Sequence, residues 1–79
     1  MNTYQLKRTY HFEFKLDSLL EQKGVTQVEL SQMTGIRPAT ISEMVHDVRS
    51  TYNKIHLVKV MDALNVIDLN DILQLHIQE

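Results

Sequence analysis

The chain has 79 residues, 43% of them apolar and 23% charged, an ordinary balance for a single globular domain. Its formal net charge is −2, and the absence of cysteine excludes disulfides and thiol chemistry and suits a reducing, cytoplasmic setting. Apolar runs are too short for a membrane-spanning helix, no basic-then-apolar leader opens the sequence, and two glycines are too few for a phosphate-cradling loop.

Residues 4–14 (YQLKRTYHFEF) alternate, with Tyr4, Leu6, Arg8, Tyr10, Phe12 and Phe14 on one side, which predicts a strand within 4–14. Lys7 and Arg8 fit two roles there: edge charges that discourage aggregation, or an arm reaching phosphates or the minor groove. The aromatic alternation favours the strand. From Leu16 the period turns helical, with Leu19 and Leu20 following and Gly24 as a stop, so a first helix spans about 16–23. Thr26 with Glu29 three residues on is a capping-box signature for a second helix, about 27–34. In it Leu30 points inward, small Ser31 admits a neighbouring helix closely, and Met33 points outward. Gly35 supplies a left-handed turn, Ile36 plugs that turn into the core, and Pro38 suits the first position of a third helix over 38–46. Ile41 and Met44 give this helix its inward stripe.

Residues 47–54 (DVRSTYNK) read as a polar loop, followed by a fourth helix at about 55–64 with Ile55, Val58, Met61, and also Leu57 and Leu64, inward. Asp68 is an N-cap for a fifth helix of about 69–74. The tail LQLHIQE alternates again and, as a short strand, would pair with the N-terminal one; if either strand stays unpaired it offers a dimer seam. The expected fold is mainly α: a five-helix, repressor-like single domain over 1–79 with short terminal strands. Its parts are a strand or arm over 1–14, a helical core over 15–75 and a tail over 76–79.

A helix, a short turn around a glycine and a second helix form the helix-turn-helix arrangement, whose best-known use is to place the second helix in the DNA major groove. The charge distribution is compatible with that use. From Val48 to Met61 there is no acid, while Arg49, Lys54, His56 and Lys59 are present; from Asp62 to Glu79 there are acids and no Lys or Arg. A chain with eight basic and ten acidic residues also produces such blocks by chance. His11, His46, His56 and His76 lack metal-ligand spacing and read as surface or helix-end residues. Asp68 and Asp71 are better explained by helix capping than as a catalytic pair. With no nucleophile–base–orienter set, no enzyme activity, metal or cofactor is expected.

The chain resembles the Cro and phage-repressor type of helix-turn-helix protein, the XRE family. The likeness rests on Thr26, Gln27, Glu29, Leu30, Ser31, Gly35, Ile36, Thr40, Ile41, Ser42 and Met44, on Lys54-Ile55-His56-Leu57, and on Ala63-Leu64-Asn65-Val66, and extends over about 14–75. It implies a five-helix DNA-binding regulator with a tendency to dimerise. It assigns base-edge contacts to Arg37, Pro38, Ala39, Thr40 and Glu43: Arg37 to guanine, Pro38 or Ala39 to a thymine methyl, Glu43 to cytosine N4. Gln27, Ser42, His46, Arg49, Ser50, Thr51, Asn53 and Lys54 would meet phosphates. Three features depart from the family pattern. Arg37 stands where Ser or Thr usually caps the recognition helix, Glu43 and Asp47 bring negative charge toward the phosphates, and the segment before residue 14 exceeds the minimal domain.

The expected function is sequence-specific DNA binding by a transcriptional regulator, a repressor or Cro-like switch protein of a phage or other mobile element. Its partner would be double-stranded DNA carrying a near-palindromic operator, read by a homodimer, with no membrane involved. The alternative is a protein-interaction module on the same fold that grips another regulator protein and leaves DNA alone; Glu43, Asp47 and the negative sum favour it.

Overall fold

A computed structural model describes residues 3–79; Met1 and Asn2, part of the expected 1–14 strand or arm, lie outside the described residues. In chain order the elements are β1 (Thr9–Phe14), α1 (Leu16–Lys23), α2 (Gln27–Thr34), α3 (Pro38–His46), α4 (Lys54–Ala63), a 3₁₀ turn (Leu69–Asp71) and β2 (Leu73–Gln78).

Local chemistry accounts for the boundaries. Gly24 and Gly35 end α1 and α2 in the left-handed conformation, at φ 66° and 74°, which glycine adopts at no backbone strain. At the start of α2 the capping box is complete: the Glu29 N–H donates to Thr26 Oγ1 at 3.1 Å, and the Thr26 N–H donates to Glu29 Oε1 at 2.9 Å. These bonds, from the Thr26 backbone first and its side chain second, hold the Glu29 carboxyl below its ordinary value. Asn53 caps α4, its Oδ1 accepting from the Ile55 and His56 N–H groups.

The helices close on a small apolar core. Its fully buried side chains are Leu16 from α1, Leu30 from α2, Ile41 from α3, Val60 from α4 and Ile72 beside the 3₁₀ turn. Each contributes about 1.5–3 kcal/mol by leaving water, so no helix is dispensable. Ile36 plugs the turn between α2 and α3 as its position predicts, and the Ser31 hydroxyl donates to the Ile36 carbonyl beneath it.

The strands pair antiparallel, in register from Thr9 opposite Gln78 to Phe14 opposite Leu73. They form a two-stranded ribbon of the two ends of the chain, with a backbone bond from the Lys15 N–H to the Ile72 carbonyl at its base. Pleating sorts its faces. Tyr10, Phe12 and Phe14 oppose Ile77, Leu75 and Leu73 on one side, and Thr9, His11 and Glu13 oppose Gln78, His76 and Gln74 on the other. On the polar side His76 Nε2 lies 2.8 Å from Glu13 Oε1, a hydrogen bond that holds the Glu13 carboxyl below its ordinary value.

Two expectations are corrected. The fifth helix over 69–74 is a single 3₁₀ turn: Asp68 does cap it, accepting from the Asn70 N–H, but Ile72 turns into the core and the alternating residues from Leu73 enter β2. The last α-helix ends at Ala63, ahead of the expected core bound of 75, and 76–78 belong to β2, the short strand that the alternation of the tail predicts. On α4 the inward residues are Leu57, Val60, Met61 and Leu64, at i, i+3, i+4 and i+7, while Ile55 and Val58 are exposed. The N-terminal strand lies within 4–14 as expected, beginning after Lys7 and Arg8, and it pairs with the C-terminal strand as the alternation of both predicts.

Candidate nucleic-acid interface

Packing on one side of α3 determines what its other side presents. Ile41 is fully buried, and Met44 and Val45 pack against the core. That orientation leaves Arg37, Pro38 and Ala39 exposed, with Thr40, Ser42 and Glu43 at the margin. Pro38 begins the helix, and Arg37 provides no side-chain cap, so the first turn's free N–H groups stay uncapped at the open end. Gln27 sits half-buried at the N-terminus of α2.

The far end of α3 is built less ordinarily. Asp47 terminates it in the left-handed conformation at φ 52°, a position that usually takes glycine or asparagine. Two bonds support it: the Val48 N–H donates to the Glu43 carbonyl, and the Tyr52 hydroxyl donates to Asp47 Oδ1 at 3.0 Å. Burial, then the Asp47 bond and charge, push the Tyr52 phenol up to about 12, so it remains a donor. The Tyr52 ring lies 5.1 Å from that of Phe14 and 6.5 Å, edge-on, from that of Phe12. Sequence reasoning placed Tyr52 in a polar loop and gave it no role; an aromatic in DVRSTYNK was the available signal.

Several residues expected at phosphates already have partners within the chain. Arg49 Nη2 lies 3.0 Å from Glu43 Oε2, joining one expected phosphate ligand to one expected base reader. His46 Nδ1 donates to the Ser42 carbonyl at 2.8 Å. Asn53 uses its side-chain oxygen as the α4 cap, leaving its amide NH₂ as donor. Lys54 is the first residue of α4, not a loop residue; Ser50 and Thr51 are exposed in the loop. A groove of about 310 Å³ runs between α3, this loop and the start of α4, lined by Thr40, Glu43, Arg49, Thr51, Asn53 and His56 beside the apolar Phe14, Met44, Tyr52 and Leu57. His56, read from the sequence as part of the basic segment 48–61, stands in this wall.

A family model for the Cro/C1-type HTH DNA-binding domain matches residues 15–76. The chain belongs to the Cro/C1-type helix-turn-helix family. The matched span opens after β1 and runs through all four helices into β2, so the ribbon is half inside the family domain and half outside it. No match was found among curated proteins or among solved structures. As a Cro/C1-type domain the chain is a DNA-binding regulator, and its family is typically non-enzymatic. Among the described residues no helix is long and apolar enough to cross a membrane.

Proposed function

We propose that this Cro/C1-type domain reads a specific, near-palindromic operator as a homodimer and acts as a repressor or Cro-like switch protein of a phage or other mobile element. The observation that carries the reading is the exposed row Arg37, Pro38, Ala39, with Thr40 and Glu43 beside it, on a helix fixed from behind by Ile41. In the major groove Arg37 would donate to guanine O6 and N7, Pro38 or Ala39 would press on a thymine methyl, and Glu43 would accept from cytosine N4. Gln27, Ser42, His46, Arg49, Ser50, Thr51, Asn53 and Lys54 would position the domain on the backbone. The half-sites of the operator would lie about 34–36 Å apart, one turn of DNA. Occlusion of a promoter is enough for repression by a domain of this size, and a reducing cytoplasm suits the cysteine-free chain.

In-vitro selection from random duplexes tests the reading. An enriched site with two-fold symmetry supports it. Ala39→Glu or Thr40→Glu should abolish selection while circular dichroism stays unchanged. Arg49→Ala or Lys54→Ala should weaken all duplexes alike and lower the salt slope by about one per contact. Absence of binding even at low salt would refute it.

One observation favours a second reading. Glu43 neutralises Arg49 within the chain, which reduces the positive charge offered to phosphates. A surface of that kind also fits a protein partner, such as a larger regulator, and the low-salt arm of the same assay separates the two.

A further inference from the structure

The polar face of the ribbon brings together two of the chain's four histidines. His11 and His76 stand directly opposite each other across β1 and β2, with ring centroids 6.1 Å apart and planes at 28°. They are far apart in sequence, so no ligand spacing along the chain reveals them; strand register alone makes the pair. Glu13, next but one to His11 and on the same face, lies 2.8 Å from His76 Nε2. An ionised carboxylate only accepts, so Nε2 carries the proton and the neutral ring keeps its lone pair on Nδ1. Metal-binding histidines are commonly held in this way: a carboxylate on one ring nitrogen fixes the tautomer and raises the basicity of the other.

We propose that His11 and His76 clasp one divalent transition-metal ion, of the Zn²⁺ or Cu²⁺ class, across the two strands, with Glu13 orienting His76. The separation fits. An ion about 2.1 Å from a nitrogen of each ring lies about 3.2 Å from each centroid, so two rings on one ion stand at most about 6.4 Å apart. The observed 6.1 Å is within that reach, and a swing of about 1 Å by these exposed side chains gives the tetrahedral angle. Among the described residues no three metal-ligating side chains converge, so the clasp has two protein ligands and water completes the coordination. Imidazole selects late transition metals over Mg²⁺ or Ca²⁺, which take oxygen. The ion ties together two strands whose inner residues, Phe14 and Leu73, pack on the core, so its binding stabilises the domain. The site involves no DNA contact and stands apart from the function proposed above.

Calorimetric titration of the full chain with Zn²⁺ at neutral pH, with Mg²⁺ as comparison, tests the proposal. The expected result is one Zn²⁺ per chain and no binding of Mg²⁺. Tm should rise by about 5 °C or more for each tenfold of free Zn²⁺ above Kd, and EDTA should reverse the rise. His11→Gln or His76→Gln should weaken binding about 100-fold, because a lone imidazole loses the chelate, and Glu13→Gln about tenfold. His56→Gln should leave it unchanged. Imidazole proton NMR of the unaltered chain avoids any dependence on how the variants fold: the His11 and His76 ring signals should move with Zn²⁺ and the His56 signals should not. No binding of Zn²⁺ up to millimolar concentration overturns the proposal. So does binding that survives His11→Gln with His76→Gln, or ring signals that move at His56 and not at the pair.

Discussion

Glu43→Gln tests the groove assignment where the structure is most specific. The Glu43 carboxylate holds Arg49 at 3.0 Å, and both side chains are well exposed, 41% and 67%. An exposed ion pair of this kind contributes about 0.2–1 kcal/mol, so its loss will hardly affect the fold. On DNA the effect is larger. A carboxylate about 7 Å from a phosphate in water is repelled by about 0.6 kcal/mol before salt screening, and two phosphates border each base read in the groove. Adding the release of Arg49 gives about 1–2 kcal/mol, a gain of roughly five- to thirty-fold on duplexes of arbitrary sequence. The freed guanidinium should also steepen the salt dependence by about one unit of log affinity against log salt. At a selected site where Glu43 accepts from cytosine N4, the same change forfeits about 1–3 kcal/mol of discrimination. Fluorescence polarisation with a selected and a scrambled duplex, from about 50 to 200 mM salt, reads all three quantities. If scrambled-duplex affinity and salt slope both stay at their wild-type values, Glu43 and Arg49 do not face DNA and the groove assignment fails.

Further predictions concern the frame that presents the helix. Thr26→Ala removes one side of the capping box and should lower stability by about 1 kcal/mol, about 4–8 °C in Tm for a domain of this size. Glu29 contributes with a definite sign in pH. Its folded value lies below the ordinary 4.5, so its stabilisation is complete above 4.5 and disappears as pH falls through the folded value. Urea midpoints taken from neutral pH to about pH 3 should fall more steeply for wild type than for Glu29→Gln; parallel curves would show that the bond to Thr26 is not formed. Tyr52→Phe should cost about 0.5–1.5 kcal/mol through the lost Asp47 bond, and Tyr52→Ser distinctly more, because the ring contacts with Phe14 and Phe12 go as well. Equal losses in urea titrations would deny the ring its part. Ile41→Ala should cost about 2–5 kcal/mol, a large share of the stability of so small a domain, and leave it substantially unfolded by circular dichroism at 37 °C.

How much of this was legible in the sequence depended on the range of the interaction that decides each element. Thr26, Glu29, Gly35 and Pro38 act within a few residues of themselves, so the boundaries of α2 and α3 followed from their chemistry alone, as did the burial of Leu30, Ile36 and Ile41. The stretch after Asp68 did not follow. Leu69, Ile72 and Leu73 have helical spacing, but pairing of Leu73 with Phe14, fifty-nine positions away in sequence, pulls the chain out of the turn and into β2. Helical spacing also misled on α4, since Ile55 and Val58 fit one stripe and Leu57, Val60, Met61 and Leu64 fit another. Only the position of the rest of the core chooses between them. The exposure of Arg37, Pro38 and Ala39 was legible because they lie opposite the buried stripe on α3. The Glu43–Arg49 pair was not, because it spans a helix end and a loop whose path no local signal specifies.

Tyr52 connects two parts of the molecule that the sequence presents as separate. Its ring is packed against Phe14 and Phe12 of the ribbon, and its hydroxyl holds the residue that ends α3. Asp47 adopts a left-handed conformation that glycine takes freely and L-residues take at some energetic cost. The bond from Tyr52 offsets part of that cost, so the exit of the chain from α3, and with it the path of Arg49 through Asn53 along the groove, is referenced to the ribbon. Glycine at position 47 would end the helix at lower cost but would leave that loop tied only by its backbone. An aspartate there, bonded to an aromatic whose ring reaches the ribbon, ties the end of α3 to the two terminal strands.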